Sequence, residues 1–183
     1  MPNLCSYELK AVGTKENQQK LLETMKADYK IDKNDPIHMW RIFDADEYRD
    51  DTISDNEMII SGNCAWSVYS CMFDGDGTYQ KDDETGKGTN IVALSKELDL
   101  IIEIFSEECG YGFMEHFLID KGELKINDCI DYNEYSNEYE TYEEFIEEEM
   151  DGDPTIVSKE QFEQAKNDDE YIKVGGIDWE FTI

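Results

Sequence analysis

The sequence predicts an α+β protein: an antiparallel sheet with helices on one face, extended by extra strands and by an acidic helical elaboration at the C-terminal end. Three observations carry that expectation. Short segments alternate polar and apolar residues with the period of a strand, and segments between them show the 3.6-residue period of a helix. The chain is 39% hydrophobic and 12% aromatic, with eleven Tyr, eight Phe and three Trp, richer in aromatics than disordered acidic chains, so it has the material for a core. The formal charge of -29 is also unevenly placed: residues 1–35 hold six Lys and six acids, so the remaining 148 residues carry all of it.

In chain order, Cys5, Tyr7, Leu9 and Ala11 alternate with Leu4, Ser6, Glu8 and Lys10, a strand that ends at Gly13. Thr14 caps a helix to about Tyr29, with Leu21, Leu22, Met25 and Tyr29 as its apolar stripe. Asn34, Asp35 and Pro36 break the chain before a second strand at 37–44. Residues 58–73 (MIISGNCAWSVYSCMF) read as a long central third strand with Gly62 as a bulge or bend. The polar, glycine-rich 74–87 is a loop, and a short helix follows at about 89–98. Residues 98–107 fit two periods, since Leu98, Ile102 and Phe105 suit a helix while Leu100, Ile102 and Ile104 alternate, and the β-branched residues there favour a strand from about Leu100. Residues 109–112 turn the chain, and strands at 113–120 and 124–130 are joined at Lys121 and Gly122. The order strand-helix-strand-strand-helix-strand is the ferredoxin-like split βαβ pattern, here lengthened by antiparallel strands.

From Asp131 the character changes, which divides the chain into a domain at 1–130 and an elaboration at 131–183. Tyr132, Tyr135, Tyr139, Tyr142 and Phe145 step by three or four, the spacing of a helix. A further helix is expected at 158–166, where Ser158 and Gln161 form a capping box. Residues 174–177 (VGGI) read as a tight turn between two short terminal strands.

Three stretches resemble the YubB-type ferredoxin-like domain family of plasmids, phages and integrative elements: MPNLCSYELKAVG at the start, SGNCAWSV at 61–68 and SEECGYGFMEH at 106–116. Tyr7 stands where that family has Asn, and Cys109 where it has Pro. The likeness covers about residues 1–129. It implies the fold and a mobile-element origin, a setting rich in inhibitors of host defence, and it implies no activity.

Charge narrows the partners. Between residues 131 and 153 lie eleven carboxylates and no base. Such a field repels nucleic acid and anionic membranes and attracts basic surfaces. The candidate partner-binding residues are Glu134, Glu138, Glu140, Glu143, Glu144, Glu147, Glu148, Glu149, Asp151 and Asp153, with Tyr139 and Tyr142 as contact anchors. Acids on neighbouring helix turns sit about 5–6 Å apart and form rows that can stand in for the phosphates of a duplex. The bland alternative is a solvated face for the carboxylates and simple packing for the tyrosines. The expected partner is a basic nucleic-acid-binding protein, a CRISPR effector or restriction nuclease, that the chain inhibits without catalysis. An acidic module that neutralises a basic toxin is the alternative.

Catalysis has one weak candidate. Cys109 and His116 pair a nucleophile with a base, but on a strand Glu115 and His116 face opposite sides and cannot both serve one site. Asp74 and Asp76 sit in a loop that fails the EF-hand pattern, since Met72 takes the first ligand position and Asp83 the twelfth. No metal or cofactor is expected. The five scattered cysteines, the lack of a secretory pattern and the absence of a long apolar run point to reduced thiols in a bacterial cytoplasm.

Overall fold

A computed structural model describes residues 3–27, 39, 41–48, 53–73, 89–136, 138–168 and 170–183. The chain is α+β, with seven strands among the described residues, and it divides into two compact units: Met1–Cys129 with Ile177–Ile183, and Ile130–Gly176.

The first unit begins with β1 (Leu4–Val12) and α1 (Lys15–Lys26). As the alternation requires, Cys5, Tyr7, Leu9 and Ala11 are buried. Thr14 accepts a hydrogen bond from the Asn17 amide and caps α1, which buries Leu21, Leu22 and Met25. There follow β2 (Asp46–Tyr48), β3 (Glu57–Ala65), a single π-helical turn (Tyr69–Phe73), α2 (Ile91–Glu97), β4 (Ile101–Glu108), β5 (Phe113–Asp120) and β6 (Glu123–Tyr135). Strand order across the sheet is β2-β3-β1-β4-β5-β6, with β7 (Ile172–Gly175) beyond. The β1–β3, β1–β4, β2–β3 and β4–β5 pairings are all antiparallel. Leu21, Leu22 and Met25 of α1 and Ile91 and Leu94 of α2 join one apolar cluster with Leu9, Ala11, Ile60 and Ile102. Burying each Leu or Ile there contributes about 1.5–3 kcal/mol.

The other face of β4 and β5 is covered by Ile177–Ile183. Trp179 and Phe181 pack on Phe105, at ring centroid distances of 5.9 and 5.5 Å, and His116 stacks on the same ring at 4.2 Å. Glu103 is fully buried there. Its carboxylate accepts from the Thr182 amide (2.7 Å), the Thr182 hydroxyl (3.0 Å) and the Ile183 amide (3.2 Å), and lies 2.8 Å from His116 Nε2.

Several elements differ from expectation. The second strand expected at 37–44 falls partly outside the described residues. Within them Ile42 makes an isolated bridge to Cys64, and the edge strand is β2 instead. Gly62 forms no bulge, because the β1–β3 register runs unbroken through Tyr7↔Gly62. The glycine is needed because a Cβ there would lie 2.2 Å from the Asp44 carbonyl oxygen. The same Asp44 carbonyl accepts the Tyr7 hydroxyl at 2.8 Å. The long third strand ends at Ala65: Trp66 takes φ +64, and the chain then coils into the π-helical turn. Glu115 causes this locally, since its carboxylate accepts from the Val68 and Tyr69 amides at the start of that turn.

The helix expected from Asp131 is a strand as far as Tyr135, because β7 supplies a partner: Tyr132↔Gly175, Glu134↔Lys173 and Tyr135↔Ile172. Gly175 and Gly176 do turn the chain, at φ +88 and +85, but no strand follows them. The Lys121–Gly122 turn has φ of +48 and +90, the left-handed pair that a two-residue hairpin requires.

Candidate partner-binding surface

The second unit is built from the end of β6, α3 (Tyr142–Glu149), α4 (Lys159–Asp168) and β7. Two caps set its helices. Thr141 Oγ1 accepts from the Glu144 amide at 3.2 Å, while the Glu144 carboxylate reaches back to the Glu140 amide at 3.1 Å. At α4 the expected capping box forms: the Gln161 amide donates to Ser158 Oγ (3.2 Å) and the Ser158 amide to Gln161 Oε1 (2.9 Å).

Phe145 and Phe162 are the centre of the unit's core, fully buried or nearly so, with ring centroids 5.5 Å apart. Ile146, Met150, Val157 and Ile172 complete it. The tyrosine series serves this core despite its split between strand, connection and helix. Tyr135 and Tyr139 meet Phe145 edge-on at 5.9 and 5.6 Å, and Tyr142 meets Phe162 at 5.8 Å. Their hydroxyls are engaged as well. Tyr142 donates to the Val157 carbonyl at 2.6 Å, and Tyr139 donates to the Glu149 carboxylate. That bond, with Glu148 and Glu144 adding repulsion, pushes the Tyr139 phenol up to about 12.

The carboxylates lie outside this core. Glu143, Glu144, Glu147, Glu148 and Glu149 are exposed along α3, as are Glu138 and Glu140 in the connection before it. Asp151 (φ +51) and Gly152 (φ +80) end the helix, with the Gly152 amide donating to the Ile146 carbonyl at 2.9 Å. Asp153 accepts from the Thr155 hydroxyl (2.6 Å) and amide (2.9 Å), which holds its carboxyl below the ordinary range. Glu134 is on β6, apart from the helix, and pairs with Lys173 at 3.5 Å. Tyr142, Glu143, Ile146, Glu147, Asp151, Gly152 and Pro154 line an open groove of about 680 Å³.

Two features of this surface shape its charge. Glu143 and Glu144 sit in the first turn, where the helix dipole favours them, but Glu147, Glu148 and Glu149 sit in the last turn, which has no base. Glu143/Glu147 and Glu144/Glu148 are also like-charged pairs four apart. Together these arrangements cost on the order of 1–3 kcal/mol. Second, the bases of the unit are already engaged. Lys159 pairs with Glu143 at 3.6 Å, Lys173 with Glu134, and Lys166 donates to the Tyr139 and Glu140 carbonyls at 2.7 and 3.3 Å. Residues 130–176 hold sixteen acids and three Lys, a formal charge of -13.

The acids of α4 and its end, Glu160, Glu163, Asp168 and Glu170, are exposed on the same unit and lie outside the candidate set read from the sequence. Their signal was the same charge run, interrupted by Lys159 and Lys166.

The remaining candidates are scattered. Cys109 is exposed at its turn, and Glu108 organises that turn by accepting from the Gly110 and Tyr111 amides at 3.1 and 2.6 Å. His116 and Glu115 face opposite sides of β5, His116 toward Glu103 and Glu115 toward Val68, Tyr69 and Ser106. Asp74 and Asp76 lie outside the described residues, and among the described residues no group of three or more His, Cys, Asp or Glu is arranged to hold a metal ion. No helix among them is long and apolar enough to cross a membrane. No protein-family model matches the chain, and no match was found among curated proteins or solved structures.

Proposed function

We propose that this chain is a non-enzymatic inhibitor from a mobile genetic element, whose acidic second unit occupies the basic nucleic-acid groove of a host defence nuclease. The target class is a CRISPR effector or restriction enzyme in the bacterial cytoplasm. The observation that carries the reading is α3: an eight-residue helix whose last turn holds Glu147, Glu148 and Glu149 with no base in that turn, at a cost to its own stability. A basic groove would relieve that cost on binding, and rows of carboxylates about 5–6 Å apart present it with the charge that it evolved to take from phosphates. Tyr139 and the Thr141 cap hold the helix and Glu149 in place before the partner arrives.

The first unit is read as ferredoxin-like. The order β2-β3-β1-β4, with α1 between β1 and β2 and α2 between β3 and β4, supports that reading. It agrees with the likeness of the opening and of 106–116 to a mobile-element family.

The test is a competition assay: purified CRISPR effectors and restriction nucleases are offered labelled nucleic acid with the chain present, over a series of salt concentrations. Inhibition should weaken steeply with salt. Glu147→Lys, Glu148→Lys and Glu149→Lys combined should lower association rate and affinity by about tenfold or more. The same variant should fold at least as stably as the parent, since it removes the conflict with the dipole. Full inhibition by the folded triple variant would overturn the proposal.

A further inference from the structure

The face of β4 and β5 turned away from the helices is a covered site. Ile102, Ile104, Phe117 and Ile119 of these strands join the core, so by alternation Glu103, Phe105, Met114 and His116 project from the opposite face. Phe105 and Met114 are buried all the same, although neither joins the core cluster of the unit. Their cover is residues 177–183: Trp179 and Phe181 pack on Phe105, and the Ile177 amide meets Met114 Sδ at 3.3 Å.

What holds this segment is recognition rather than strand pairing. Among the described residues, 177–183 lie outside every strand, and their hydrogen bonds to β4 all end on the Glu103 carboxylate. Glu103 is fully buried, which is costly for a carboxylate unless donors fill its lone pairs. A carboxylate offers about four acceptor positions. The segment supplies three donors: the Thr182 amide (2.7 Å) and Ile183 amide (3.2 Å) on Oε2, and the Thr182 hydroxyl (3.0 Å) on Oε1, beside His116 Nε2 (2.8 Å). Phe105 in turn receives the rings of residues 179 and 181, the spacing that puts two side chains on one side of an extended segment. β7 ends at Gly175, and Gly175 and Gly176 have φ of +88 and +85. The segment can therefore leave as one piece without breaking the β6–β7 ladder.

We propose that this face is a peptide-binding site, occupied in cis by residues 177–183. From a partner it takes an extended segment that carries two aromatic residues two positions apart, with a hydroxyl residue directly after the second. The chain's own Trp179, Phe181 and Thr182 show that pattern and act as a tethered competitor, whose effective concentration is in the millimolar range. A partner segment must displace it. Once displaced, Glu103 has lost three donors, and a buried acceptor left unpaired is costly. Only a segment that returns two successive backbone N–H groups and a hydroxyl to the same places restores them, so the carboxylate supplies specificity and the Phe105 ring supplies apolar contact.

The probe is a fluorescent peptide with the sequence of residues 176–183, and the receptor is the full chain with Trp179→Ala and Phe181→Ala, which weakens its own segment. Anisotropy titration should show saturable binding, about tenfold or more tighter than to the parent chain, where the cis segment competes. Adding Glu103→Gln to the receptor should weaken binding about tenfold or more, because the new NH₂ group meets peptide N–H groups donor against donor. A peptide carrying Trp179→Ala and Phe181→Ala should not bind. Should the receptor fold poorly, hydrogen exchange on the parent chain decides: the Thr182 and Ile183 amides should exchange while those of Ile102 and Ile104 stay protected. Undiminished binding to the Glu103→Gln receptor, no binding to a folded receptor, or exchange of Thr182 and Ile183 only on global unfolding would each overturn the proposal.

Discussion

Glu115 is a buried carboxylate at a structural joint, and replacing it with glutamine tests how that joint is held. The side chain is 3% exposed. One oxygen accepts from the Val68 amide at 2.8 Å and the Ser106 hydroxyl at 2.7 Å, and the other from the Tyr69 amide at 3.2 Å. In Glu115→Gln the amide oxygen keeps the first two bonds, but the new NH₂ group faces the Tyr69 N–H as donor against donor. Losing one such bond and stranding one amide costs about 1–3 kcal/mol. The pH dependence gives a sharper check. Burial raises the Glu115 pKa above its ordinary 4.5, outweighing the opposing bonds from Ser106, Val68 and Tyr69. Above 4.5 the unfolded chain has released this proton while the folded chain still holds it, so stability falls as pH rises through the window that begins there. Glutamine carries no such proton. The advantage of the parent over Glu115→Gln should therefore be largest below that window and shrink upward, by at most about 1.4 kcal/mol per pH unit. All three tryptophans, Trp40, Trp66 and Trp179, lie in the first unit. Urea unfolding followed by tryptophan fluorescence, between about pH 4 and pH 7, isolates the effect there. An advantage that grows with pH, or does not vary, would refute the account of a burial-dominated carboxylate.

Two further substitutions probe the scaffold. Gly62→Ala places a methyl 2.2 Å from the Asp44 carbonyl oxygen, and neither backbone can yield cheaply. A loss of about 1–3 kcal/mol is expected from the overpacking, read by the same fluorescence assay, and a neutral result would mean that the approach of Asp44 is wrong. Phe145→Ala removes the fully buried ring that Tyr135, Tyr139 and Phe162 surround. It should cost about 3–5 kcal/mol and strip hydrogen-exchange protection from the Ile146 and Met150 amides, and retained protection would refute the assigned core.

What the sequence determined by itself is what short-range physics controls. The alternation of β1, the apolar stripe of α1, the bounds of β5 and the Ser158–Gln161 capping box all involve residues a few positions apart, so their pattern is visible in one dimension. The position of the charge was equally plain, because composition needs no fold. Tertiary structure decided everything that depends on a distant partner. The steps of three and four from Tyr132 to Tyr142 suit a helix, yet β7, some forty residues onward, offered hydrogen bonds to the first part and made it strand. Gly62 looked like a bend until Asp44 came to rest against it. Glu115 read as a polar strand residue, and only the amides of Val68 and Tyr69, nearly fifty residues earlier, give its carboxylate a reason to be buried. Cys5, Cys64 and Cys71 carry no spacing motif at all. Cys5 and Cys64 are register partners because β1 and β3 pair, and the Cys71 sulfur reaches the Ala65 carbonyl because the next turn folds back, placements that chain topology creates and local sequence cannot announce.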